Sequence, residues 1–119
     1  LKITIPISVG ELLDKISILS IKSQYTTSEY VKKELQELIQ IARENNVYDE
    51  EYISQLLQVN QKLWKIEDDL RIFENKHIFD EDFIYLARLV YTYNDQRANI
   101  KKEINERYNS TYQEVKCYV

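Results

Sequence analysis

The stretch from Val59 to Asn105, VNQKLWKIEDDLRIFENKHIFDEDFIYLARLVYTYNDQRANIKKEIN, decides the fold. Apolar residues recur at helical spacing on both sides of its centre. Upstream they are Ile53, Leu56, Leu57, Leu63, Trp64 and Leu70; downstream they are Phe83, Ala87, Val90, Ala98 and Ile104. The connection NKHIFD is short, so the two helices fold back as an antiparallel hairpin. At 1.5 Å per residue each arm is about 40 Å long. Asp80 sits where an N-cap belongs, with Phe79 and Ile84 placed as a hydrophobic staple across it.

The same start signal recurs upstream. Asp49 caps the first arm of the hairpin, with Tyr48 and Ile53 as staple. Thr26 with Glu29 makes a capping box, stapled by Tyr25 and Tyr30. Ser8 with Glu11 makes another, stapled by Ile7 and Leu12. Four helices are expected near 9–24, 27–45, 50–75 and 81–108. The first presents Val9, Leu12, Leu13, Ile16 and Leu19 on one face, and the second Val31, Leu35, Leu38, Ile39 and Ala42. Both chain ends change period. Leu1, Ile3, Ile5 and Ile7 alternate with Lys2, Thr4, Pro6 and Ser8, and Tyr112, Glu114, Lys116 and Tyr118 alternate with Gln113, Val115, Cys117 and Val119. A period of two predicts strands, with Pro6 confined to an edge. The expectation is a mainly α fold forming one helical domain over 1–119. It has four helices, a long antiparallel C-terminal helical hairpin, and a two-stranded antiparallel ribbon made by the N- and C-terminal segments.

Composition narrows the function classes. The net charge of −4 disfavours nucleic acid and anionic membrane as partners. Lys101, Lys102 and Arg107 form a local basic patch that complements the end of a helix dipole. The one cysteine, Cys117, has no internal disulfide partner, and with the one histidine, His77, it cannot build a zinc set. No metal or cofactor is expected. No run approaches the roughly 20 apolar residues of a membrane span, and the thiol usage fits a reducing, cytoplasmic setting. A thin hairpin leaves faces to cover, and Tyr48, Tyr52, Tyr85, Tyr91 and Tyr93 supply aromatic surface. A homodimer, or another protein partner, is therefore expected.

Pro6 and Gly10 are the only proline and glycine of the chain. Gly10 lies in the first helical turn, outside any GxxxxGK[ST] or GxGxxG pattern. It reads as an uncrowded helix start; close approach of another backbone or of an anion is the other reading. Polar residues also interrupt the apolar stripes of the hairpin. One row runs Leu56, Asn60, Leu63, Glu67, Leu70, and the other Ala87, Val90, Asn94, Arg97, Lys101, Ile104. A carboxylate inside an apolar stripe needs a partner, so Glu67 is expected against Arg97 or Lys101, with Asn60 and Asn94 fixing register. Glu11-x-x-Asp14 and Glu34-x-x-Glu37 have the spacing of the paired acids of all-α, metal-dependent nucleotide pyrophosphatases, but in the wrong order. No catalytic residue is assigned. Glu11, Asp14, Asn60, Glu67, Asn94, Arg97 and Lys101 are the candidates for a structural network or for a pocket that holds a small anion or a partner's side chain.

SVGELLDKISILSIKS, VNQKLWKIEDDLR, FIYLARLVYTYNDQRANIKKEIN and the later EVKCY together resemble, in order, a small domain family of unknown function found in bacteria and phages. Its typical positions match here at Gly10, Glu11, Asp14, Lys15, Asn60, Trp64, Glu67, Asp68, Asn94, Asp95, Arg97, Lys101, Glu103 and Asn105. Ser20 stands where the family usually has glutamate, and NERYNS where its tail is more aliphatic. The resemblance implies no activity, only a place that is sometimes near polysaccharide and glycosyltransferase genes; the expected function is a non-catalytic interaction or accessory module, one that could serve a polysaccharide-modifying system. A small-molecule binder or enzyme using the polar row is the alternative.

Overall fold

The computed structural model describes residues 1–117, which leaves Tyr118 and Val119 outside the description. Its helices are α1 (Val9–Lys22), α2 (Glu29–Glu44), α3 (Glu50–Asn75) and α4 (Glu81–Arg107). Three starts are made by the expected side chains. Ser8 Oγ accepts from the Glu11 N–H, Asp49 Oδ1 from Tyr52 and Asp80 Oδ1 from Phe83, each at 3.1 Å. The start of α2 differs. Thr26 Oγ1 accepts the Ser28 N–H in a local turn, so the helix begins at Glu29, after a Ser28 that makes no side-chain cap.

The helix ends show how a chain with a single glycine stops its helices. Asn46, His77 and Asn109 take φ values of 57°, 55° and 50° just past the ends of α2, α3 and α4. Each is followed by a residue whose N–H bonds back into the last turn: Val47 to Ala42, Ile78 to Phe73, Ser110 to Asn105. This is the Schellman arrangement, with asparagine and histidine in the left-handed position glycine usually fills. His77 thus has a backbone role in the hairpin turn.

α1 is the central element and packs against α2, α3 and α4, while α3 and α4 form the expected hairpin. The buried core joins Leu12, Leu13 and Ile16 of α1 to Ala42, Ile53, Leu56 and Ile104. Tyr25 leaves its expected staple partner and stacks on Trp64, with ring centroids 5.2 Å apart. α1 covers only the half of the hairpin nearer the chain termini. The molecule is accordingly extended, 48 × 36 × 28 Å, with a radius of gyration of 16.1 Å, against about 13.5 Å for a compact chain of this length.

The terminal ribbon is not formed: among the described residues there is no strand. Two strands alone are marginal, and Pro6 withholds one ladder donor. Side chains hold the ends instead. Lys2 pairs with Glu37 at 2.8 Å, Glu114 with Lys101 at 3.3 Å, and Lys116 with Asp95. The segments do come near each other, since Ile5–Ser8 and Tyr112–Glu114 line one shallow concavity.

Candidate functional site

α1 and α4 meet through a cluster of charged and amide side chains. Asp14 is completely buried. Its Oδ2 accepts from Arg97 Nη2 at 2.5 Å and Nε at 3.0 Å; its Oδ1 accepts from Arg97 Nε at 3.1 Å and Asn60 Nδ2 at 2.9 Å. Asn60 Nδ2 also reaches Ser17 Oγ at 2.8 Å, and that hydroxyl donates back to the Asp14 carbonyl at 2.7 Å. Asp14 and Ser17, three apart, share the inward face of α1. Burial works against the Arg97 cation. Its hydrogen bonds and charge pairing with Asp14, aided by Glu11 and Glu114, outweigh that and hold its pKa above the ordinary arginine value.

Lys101 lies one turn along α4 and is only 7% exposed. Its Nζ stands 2.7 Å from Glu11, 3.3 Å from Glu114 and 4.0 Å from Asp14. Three carboxylates from two segments thus surround one buried ammonium, the pairing that a buried charge requires.

Gly10 lets the two helices close to this distance. A Cβ there would stand 2.7 Å from the Lys101 carbonyl oxygen and 2.9 Å from Asn105 Oδ1. The Gly10 N–H donates to Asn105 Oδ1 at 2.7 Å, and the Val9 N–H to Ser110 Oγ at 3.1 Å. With Ser8 taking the Glu11 N–H through its hydroxyl and the Leu12 N–H through its carbonyl, the first turn of α1 is satisfied within the chain. Of the two sequence readings of Gly10, backbone approach holds, and no donor of this turn remains for an anion. Asn105 Nδ2 is buried without a hydrogen-bond partner among the described residues, because the Gly10 N–H dictates which way the amide faces.

Of the seven candidates, Glu11, Asp14, Asn60, Arg97 and Lys101 come together. Asn94 lines a cavity beside Arg97 and Lys101. Glu67 does not join them. It is exposed, and the neighbouring Ile66 turns inward in its place. The carboxylate that the hairpin cations need comes from α1, which leaves Glu67 solvated at no desolvation cost. Ala87 is likewise exposed, because the inner face of α4 there runs through Phe83, Leu86 and Val90. Glu34 is exposed and Glu37 is engaged with Lys2, so the two acid pairs do not converge. Among the described residues no group of three or more His, Cys, Asp or Glu is placed to hold a metal ion. No helix there is long and apolar enough to cross a membrane.

Over residues 2–119 the chain matches DUF6165, a family of unknown function. The chain belongs to that family. No curated protein and no solved structure matches it. The family therefore adds no activity, and the geometry carries the chemistry alone. Asp14 has both oxygens engaged by Arg97 and Asn60. The cluster works as a clamp between α1, α3 and α4. Ser17, Asn105 and Glu114 belong to it although sequence reasoning did not single them out as site residues. The spacing Asp14-x-x-Ser17 was a usable signal; for Glu114, on an irregular tail, there was none.

Proposed function

We propose that the protein is a non-catalytic interaction module whose contact surface is the outer half of the α3–α4 hairpin and whose partner is a second copy of the chain. One observation carries this reading. Where α1 no longer covers the hairpin, large apolar side chains face outward: Ile72, Phe79, Ile84, Tyr85 and Tyr91 are all more than half exposed. Ile84, Tyr85, Arg88, Leu89 and Tyr91 border a concavity along α4. Two helices alone cannot bury the apolar stripes of both, and an isologous pair of hairpins would form a four-helix layer that does. Tyr48, Tyr52 and Tyr93 are only partly exposed; the first two pack against the core, and Lys62 lies over the third, so of the five tyrosines expected at a surface Tyr85 and Tyr91 are the exposed ones.

The proposed setting is cytoplasmic, on the ground of the single cysteine, in a bacterium or phage, as an accessory to a polysaccharide-modifying system, on the ground of the family resemblance. Sedimentation equilibrium tests the core of the proposal. The wild type is expected at twice its 14.4 kDa chain mass in the micromolar range. Ile84→Lys with Tyr91→Lys should return it to monomer with unchanged helix content. A wild-type chain that stays at its own mass throughout that range would sink the reading.

A further inference from the structure

A cavity of about 220 Å³ lies on the outer side of the Asp14–Arg97 pair, lined by Asn94, Arg97, Ala98 and Lys101 of α4 and by Glu114 and Lys116 of the C-terminal tail. We propose that this cavity is a binding site for an acidic group, a carboxylate or a phosphate on a small ligand, and that Glu114 occupies it in cis. The inference is independent of the self-association proposed above.

The α4 side of the cavity is a set of donors. Arg97 spends Nε and Nη2 on Asp14, and its Nη1 makes no hydrogen bond among the described residues. The Asn94 side chain, half-buried beside it, makes none there either. Lys101 completes the set, with an ammonium buried far more deeply than a solvated surface lysine. On the other side the acceptor is Glu114, on a segment without regular structure, at 3.3 Å from Lys101 where Glu11 stands at 2.7 Å. Glu11 and Asp14 hold the inner sides of the two cations. Lys116 is engaged with Asp95.

The free donors decide the ligand class. Arg97 and Lys101 face Glu11, Asp14 and Glu114. An incoming monoanion that takes the place of Glu114 leaves the local charge unchanged and accepts from Arg97 Nη1, Lys101 and Asn94, a set of donors that a cation cannot use. Leaving Lys101 costs Glu114 one long ion pair and breaks no helix, so exchange is cheap. The volume lies below the roughly 300–1,000 Å³ of sites for drug-sized molecules, which suits a single acidic head group with a small body. A tethered carboxylate competes at high effective concentration. If the tail is closed nine-tenths of the time, removing that carboxylate raises apparent affinity about tenfold.

The test titrates isotope-labelled wild type and Glu114→Gln with inorganic phosphate and, separately, with acetate at low ionic strength, following the Asn94 side-chain amide and Arg97 Nε by NMR. Glu114→Gln is expected to bind at least one of the two anions about tenfold more tightly than wild type. The anion that binds names the acid class. Adding Lys101→Met should abolish the effect; Asn94→Leu, which disturbs no hydrogen bond, should weaken it and serves if the lysine variant does not fold. The proposal is overturned if neither anion shifts these resonances in Glu114→Gln at millimolar concentration. It is equally overturned if the Lys101→Met or Asn94→Leu combination responds as strongly as Glu114→Gln alone.

Discussion

The Gly10 N–H donates a 2.7 Å hydrogen bond to the Asn105 side chain, and this single contact sets how closely α1 lies on α4. The pairs of the polar cluster that join α1 to α4 depend on that separation. Asp14 reaches Arg97, and Glu11 reaches Lys101, only because no Cβ stands between residue 10 and the Lys101 backbone.

Gly10→Ala should therefore be destabilising even though alanine is the better helix former. The new methyl would stand 2.7 Å from a backbone oxygen that cannot swing aside. Overpacking of this kind costs about 1–3 kcal/mol, against the roughly 1 kcal/mol that helix propensity returns elsewhere. Urea unfolding is expected to show a lower midpoint at unchanged slope. A variant as stable as wild type would mean that the helices separate freely and that the glycine is incidental.

The Asp14–Arg97 pair gives a sharper test, because its partners are buried unequally. Arg97→Met leaves the Asp14 carboxylate buried without its main partner and should cost about 3–5 kcal/mol. Asp14→Leu combined with Arg97→Met leaves neither charge orphaned, so the double variant should be more stable than the sum of the single effects by about 1–3 kcal/mol. Glu67→Gln, at the exposed position, should stay within about 0.5 kcal/mol of wild type. Additive costs in the cycle would show that Asp14 and Arg97 do not act as a pair.

The contrast between Glu67 and Asp14 shows what was legible in the sequence. Helix number, the hairpin and the capping residues Ser8, Asp49 and Asp80 follow from local patterns, and the structure has them. That cations on α4 needed a buried carboxylate was also legible. Which carboxylate supplies it was not, because periodicity ranks faces within one helix and says nothing of which third helix will cover a hairpin. Glu67 had the right phase on α3, but Ile66 beside it gains more by burial. The terminal segments failed for a related reason. Alternation in Leu1 to Ile7 describes a strand only if a partner ladder exists, and the ion pairs of Lys2, Glu114 and Lys116 fix both ends without one.

The last prediction concerns pH and the contact between Tyr108 and Asp49. The Tyr108 hydroxyl, just past α4, donates to Asp49 Oδ2 at 2.6 Å, while Oδ1 of the same carboxylate caps α3. Burial pushes the Asp49 carboxyl up. The Tyr108 and Tyr52 hydrogen bonds and the Arg107 charge outweigh it and leave the pKa below its ordinary value. The same bond, with burial, raises the Tyr108 phenol. A depressed carboxyl stabilises the fold above its unfolded pKa of about 3.9, and that contribution disappears as pH falls through the folded value. A raised phenol stabilises it below about pH 10, and that contribution is lost as pH rises through the folded value. The contact should thus contribute a plateau between these limits. Tyr108→Phe is expected to cost about 1 kcal/mol at neutral pH, since the pair is partly solvated. Its deficit relative to wild type should shrink as the solution is acidified below the ordinary carboxyl value of about 3.9 and through the lower folded value, where Asp49 protonates. Urea midpoints for both proteins across the acid range measure this directly. A deficit that stays constant down to the lowest pH would show that Tyr108 acts through packing of its ring and not through its bond to the Asp49 carboxylate.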